Sequence, residues 1–180
     1  MMKDRIIPLL RILRSGKRVY SPVAYLFGAL LPGRRSGAGP VAWLRGWPMP
    51  DVRRGEGIIE LGHVALYPGV QLHCRGSGRI AIGDGSFLNR YARIFAGRRV
   101  ELHRNCMASW ETVITDFIGS DAGDPFAPVV LEDEVWIGSR AVILGGTRLR
   151  RGCVVAAGSV VQGEFPADAI IAGKPAEVVA

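Results

Sequence analysis

Residues 131–166, divided in sixes, read LEDEVW IGSRAV ILGGTR LRRGCV VAAGSV VQGEFP. The first place of each unit is Leu131, Ile137, Ile143, Leu149, Val155 and Val161, aliphatic in every case. The fifth place is Val135, Ala141, Thr147, Cys153, Ser159 and Phe165, mostly small. An α-helix repeats near 3.6 residues and a lone strand near 2. A strict period of six fits neither. It fits an all-β fold, a parallel β-helix of six-residue units, in which short flat strands are joined by turns. Three units make a triangular coil of about 18 residues. The first-place side chain then points inward and stacks on its equivalent one coil away, about 4.8 Å off. The fifth place points inward beside a corner, so it is expected to be small. Cys106 and Cys153 are then small buried fillers.

The repeat continues upstream. Ile82, Leu88 and Ile94 take the first place in one stretch, and Leu102, Ala108 and Ile114 in the next. The step from Ile94 to Leu102 is eight, so one corner holds two extra residues. An earlier coil is blurred in IIELGHVALYPGVQL, residues 58–72. The step from Ile114 to Leu131 is 17, and VITDFIGSDAGDPFAP, residues 113–128, breaks the period there. Insertions in a solenoid map to surface loops that often carry function. This loop is expected to leave the coil and project specific groups. The reading gives about five coils over residues 58–166.

Charge divides the chain. Residues 1–55 carry 11 Lys and Arg against Asp4 and Asp51, a net +9, whereas residues 56–180 carry 12 against 14 acids, a net −2. Residues 1–55 are read as a basic, partly helical N-terminal extension and residues 56–180 as the repeat domain. The basic head suits an anionic partner or a peripheral membrane contact, and equally suits a solvated tail. SPVAYLFGALLP, residues 21–32, is too short to span a bilayer. Three cysteines, an odd number at no metal-like spacing, argue against a disulfide framework and for a reducing compartment. The expected location is cytoplasmic, or peripheral at the inner face of the membrane. The basic excess sits outside the repeat and carries no recognisable nucleic-acid module, so no nucleic acid is expected as partner.

VWIGSRAVIL (135–144), VVAAGSVV (154–161), AIIAGKPAEVV (169–179) and MASWETVITDF (107–117) together resemble the hexapeptide-repeat acyltransferases, in particular the sugar and polysaccharide O-acetyltransferases. The resemblance covers roughly residues 58–180. It implies a left-handed β-helix, a homotrimer, acetyl-CoA as co-substrate in a groove between neighbours, a small-molecule or glycan acceptor, and no metal. By the same resemblance Ser139, Ala157 and Gly158 line the pantetheine arm, and Lys174 meets a CoA phosphate. Gln162 and Gly163 stand where relatives often carry Thr-Lys. Asn89 matches a polar residue near the acceptor, and Trp110 walls the pocket or packs beneath the loop.

The chemistry needs a general base for the attacking hydroxyl and a donor for the oxyanion. Relatives often carry a loop like TDFDGH, with His as base. Here the loop reads Thr115, Asp116, Phe117, Ile118, Gly119, Ser120, with Ser120 where that His is expected. A serine hydroxyl is no base at neutral pH. The catalytic candidates are therefore Ser120 by position, Asp116 or Asp121 if buried, and His103 as a substitute. Asp116 as a cap for the loop's own backbone, and His103 as an outward corner residue, are the structural alternatives. His63 and His73, in the blurred coil, are read as structural. A second class of function is a catalytically silent trimeric homologue acting as a binding or scaffold subunit. A metal-dependent hydratase on the same coil would need three converging histidines. His63, His73 and His103 lack the close pair such a site uses.

Overall fold

The computed structural model describes residues 34–35, 42–44, 50–119 and 123–180. Ser120, Asp121 and the expected helical stretch at the N-terminus lie outside the described residues. Short strands wind through three sheets in turn, so each coil adds one strand to each sheet. Sheet A holds β1 (Arg34–Arg35), β4 (Ile58–Leu61), β7 (Arg79–Ile82), β10 (Arg99–Leu102), β13 (Val129–Leu131), β16 (Arg148–Leu149) and β19 (Glu164–Phe165). Sheet B holds β2 (Ala42–Leu44), β5 (Val64–Leu66), β8 (Phe87–Leu88), β11 (Met107–Ala108), β14 (Trp136–Ile137), β17 (Val154–Val155), β20 (Ile170–Gly173) and β21 (Ala176–Val178). Sheet C holds β3 (Asp51–Arg53), β6 (Gln71–Cys74), β9 (Arg93–Ala96), β12 (Val113–Thr115), β15 (Val142–Ile143) and β18 (Val160–Val161). All pairings are parallel except β20 with β21, which form a C-terminal antiparallel hairpin. No helix occurs among the described residues, and none is long and apolar enough to cross a membrane.

The register follows the period of six. Leu131 pairs with Leu149, Ile137 with Val155 and Ile143 with Val161, each 18 positions apart. All twelve first-place residues from Ile82 to Val161 are buried, as are the small fifth-place residues Ser86, Ala92, Cys106, Thr112, Ala141, Cys153 and Ser159. Burying one such aliphatic side chain stabilises the fold by about 1.5–3 kcal/mol, so the central column is the main source of cohesion. Fifth-place hydroxyls are satisfied internally. Thr147 donates to the Leu144 carbonyl at 2.6 Å, and Ser86 to that of His103 at 2.9 Å. The blurred region also forms a coil. Leu61, Leu66 and Leu72 pair with Ile82, Leu88 and Ile94. The three sheets extend upstream of residue 56, through β3 and the backbone of β2 and β1, giving about six turns where the sequence suggested five.

Downstream of Ile82, two coils exceed 18 residues. Ile82 pairs with Leu102, 20 on, and Leu102 pairs with Leu131, 29 on. The second step contains the predicted excursion, 11 residues beyond a regular coil. Its root is hairpin-like: Ala127 N–H donates to the Asp116 carbonyl at 2.8 Å and Ile118 N–H to that of Pro125 at 2.9 Å. Phe117 and Phe126 meet edge to face, centroids 6.0 Å apart. The loop folds back across two neighbouring coils. A Cβ on Gly97 would overlap the Phe126 ring, and one on Gly145 would overlap the Asp116 carbonyl and Ile118. Glycine at these two places is what lets the loop lie close.

Candidate functional site

The corner between sheets B and C stacks residues 89–91, 109–111, 138–140 and 156–158. The backbone fixes this column. Asn89 N–H bonds to Ala108, Ser109 to Ile137 and Gly138 to Val155, all at 2.8–2.9 Å. The four successive corner turns interlock through Glu111 N–H to the Arg90 carbonyl, Arg140 to Trp110 and Gly158 to Ser139. One residue in each turn takes the left-handed region: Tyr91 at φ 59°, Glu111 at 58°, Arg140 at 59° and Gly158 at 71°. Side chains at the first three cost strain that Gly158 avoids. Arg140 Nε also bonds to Glu111 at 2.8 Å along the ridge.

This corner carries a groove of about 560 Å³ lined by Trp110, Ser139, Arg140, Ala157 and Gly158 among others. Trp110 is 57% exposed, so its ring is a free wall rather than packing beneath the loop. The sequence-predicted Ser139, Ala157, Gly158 and Trp110 thus come together. Asn89 lies on the same column but turns its amide oxygen to Arg90 N–H at 2.8 Å. Lys174, exposed in the β20–β21 turn, follows Gly173, whose N–H bonds to Ser159 Oγ at 3.2 Å. That places it one coil beyond Gly158, at the end of the column and outside the groove wall.

The catalytic candidates lie elsewhere. Asp116 is wholly buried, and its carboxylate accepts the N–H groups of Gly97, Arg98 and Arg99 at 2.9, 2.7 and 2.7 Å. It caps the corner that holds the two extra residues of the neighbouring coil, where the sequence suggested a cap within its own loop. Its oxygens are occupied by fixed donors. His103 is exposed on the A–B corner, beside Glu101, Arg104 and Asp133 in a cavity of about 640 Å³. Arg104 N–H and guanidinium hold Asp133 below the ordinary carboxylate range, with His103 adding a smaller effect. His103 and the excursion root thus sit on different corners of one chain. The Cys106 thiol is pushed up to about 12 by burial, which makes it inert filler.

Sequence reasoning passed over His73. Leu72 occupies a first place and pairs with Ile94, so His73 faces outward on sheet C between Arg53 and Phe95. Its Nε2 lies 3.1 Å from Asp51 Oδ2, and its ring meets Phe95 edge-on at 5.5 Å. It lines a cavity of about 220 Å³ with Arg75, Phe95, Asp116, Phe117 and Phe126, at the foot of the excursion. The signal was available only once the blurred coil had been given its register. Among the described residues no three His, Cys, Asp or Glu side chains converge to hold a metal ion.

Comparison with known proteins agrees with the β-helix and its repeat. The family profile described as "Hexapeptide repeat of succinyl-transferase" matches residues 128–162. A curated 2,3,4,5-tetrahydropyridine-2,6-dicarboxylate N-acetyltransferase of Staphylococcus aureus (strain JH9) is 51% identical over 53 residues, 29% of this chain and 22% of the relative. The match therefore spans about a fifth of that relative's length. A hexapeptide-repeat acetyltransferase structure from Vibrio cholerae superposes with TM-score 0.52 at 30% identity, covering 56% of this chain and 61% of that one. The Vibrio cholerae O1 biovar eltor enzyme complexed with acetyl coenzyme A gives 0.54 at 29%, covering 59% and 62%. A maltose O-acetyltransferase from Clostridium difficile 630 gives 0.52 at 25%, covering 56% and 57%. The chain is thus a hexapeptide-repeat β-helix protein, similar in fold and coil sequence to acetyltransferases built on that repeat.

Proposed function

We propose that the chain is an acetyl-CoA-dependent O-acetyltransferase acting on a hydroxyl of a sugar or glycan precursor. The observation that carries this reading is the B–C groove, where Ser139, Ala157 and Gly158 make a small-residue wall beneath Trp110. An extended, amide-bearing arm such as pantetheine suits a wall of backbone and small side chains. The similarity to a structure complexed with acetyl coenzyme A supports the same occupant. Lys174, at the end of the column, is assigned to a phosphate of the cofactor. The groove and the excursion lie at opposite edges of sheet C, so a complete site needs the groove of one copy against the excursion of another. We take the working unit to be a homotrimer. Its contacts are supported by the apolar outer row of sheet B, where Phe87, Met107, Trp136, Val154 and Ile170 stand in register. The basic residues of the N-terminal extension that precede the coil are assigned a peripheral contact with an anionic surface at the inner face of the membrane.

Calorimetry with CoA tests the reading. Binding at micromolar to millimolar concentration is expected, and Ala157→Trp, which fills the groove, is expected to abolish it while leaving the thermal midpoint near that of the native chain. No heat and no thermal shift at millimolar CoA would remove the acyltransferase reading. A second reading, a silent scaffold subunit, is favoured by Ser120 in place of the loop histidine. It predicts CoA binding without turnover of acetyl-CoA.

A further inference from the structure

We propose that His73, oriented by Asp51, is the general base of the transfer, standing at the foot of the excursion instead of within it; the inference rests on the acetyl-transfer reading above. A carboxylate can only accept, so the 3.1 Å contact puts the neutral ring's proton on Nε2 and leaves Nδ1 unprotonated. Asp51 is itself paired. Arg53 donates to it through Nε at 3.1 Å and lies 3.0 Å away through Nη2, and this guanidinium is the main cause holding Asp51 below the ordinary carboxylate range. Phe95 packs edge-on against the ring. A base, an orienting acid and a rigid support are the arrangement that proton abstraction needs.

The position suits an acceptor. The His73 side chain is 23% exposed, partly desolvated yet reachable. The cavity it lines is walled by Phe95, Phe117 and Phe126, surfaces against which the apolar face of a sugar ring packs. The other candidates are worse placed. The Asp116 carboxylate in the same cavity is taken by three N–H groups, and His63 and His103 lie on the A–B corner. The charged groups around the ring are Asp51 and Arg53 on β3, Arg93 on β9, and Arg75 and Asp116 at the cavity wall.

In the proposed step the acceptor oxygen attacks the thioester carbonyl of acetyl-CoA held by a neighbouring copy. The new C–O bond forms as Nδ1 of His73 takes the hydroxyl proton. The tetrahedral oxyanion then collapses, the C–S bond breaks, and the imidazolium returns its proton to the CoA sulfur. The products are the acetyl ester and the CoA thiol.

The test measures release of the CoA thiol by the full chain from acetyl-CoA, with maltose or water as acceptor, across pH. His73→Gln is expected to lower kcat about 10²–10⁴-fold at every pH, with CoA binding and thermal midpoint near native. Asp51→Asn, which keeps an acceptor for Nε2 but not the charge, is expected to lower kcat with KM for acetyl-CoA near native, and Asp51→Glu to recover part of the rate. A native rate in His73→Gln overturns the base and leaves acetyl transfer standing. A loss in His73→Gln that comes with a lowered thermal midpoint shows a structural role and also overturns it. A native chain that binds CoA but releases no thiol with either acceptor overturns both the base and the transfer reading.

Discussion

Asp116 closes the backbone of a corner two residues longer than the regular coil provides. The extra residues leave N–H groups with no strand to pair with, and a buried donor without a partner costs about 1–3 kcal/mol. One carboxylate satisfies three of them, at Gly97, Arg98 and Arg99. Asp116→Ala is therefore expected to destabilise the chain by several kcal/mol and to lower its thermal midpoint, with Asp116→Asn intermediate. A midpoint within a degree of native in the alanine variant would show that water replaces the carboxylate. The sequence displayed the eight-residue step and the aspartate separately. Nothing in their spacing joins them, because the bond runs between coils, 17 to 19 positions apart.

At the scale of elements, each strand is two to four residues long, too short to hold by its own pairing. The aliphatic column through the coil binds them. Ile143 pairs with Ile114 on one side and Val161 on the other, with no exposure. Ile143→Asp sets an unpaired charge in that column, costing several kcal/mol, and is expected to abolish cooperative unfolding followed by circular dichroism. A variant melting like the native chain would contradict the register. Ser139, Ala157 and Gly158 were singled out only by the resemblance to a known family, whereas the period of six made the regular coils and the excursion legible. It could not show the blurred coil, whose first-place residues Leu61, Leu66 and Leu72 step by five and six with Val64 and Val70 buried between them. His73 and Asp51 were hidden for that reason. Their contact depends on the pairing of β3 with β6, and the local sequence carries no repeat to reveal it.

Across the whole molecule the three faces differ. Sheet A carries ion pairs along its outer row, among them Arg79 with Glu60 at 2.6 Å and Arg148 with Glu132 at 2.8 Å. These exposed pairs contribute little individually, but they keep that face polar. Sheet B carries the apolar row, and sheet C joins the His73 cavity to the groove corner. The parallel stack has a hazard common to any solenoid, since its last coil presents N–H and C=O groups in the register another coil would need. At sheet B the hairpin changes this. β21 runs antiparallel against Ile171, Ala172 and Gly173, so the next chain meets a strand of the wrong direction. The hairpin is thereby a stop against polymerisation. Deleting residues 174–180 should leave a coil that still winds but joins end to end, seen as light scattering and thioflavin fluorescence growing with protein concentration. A truncated chain that stays monodisperse would mean the remaining edges at β18 and β19 already guard that end.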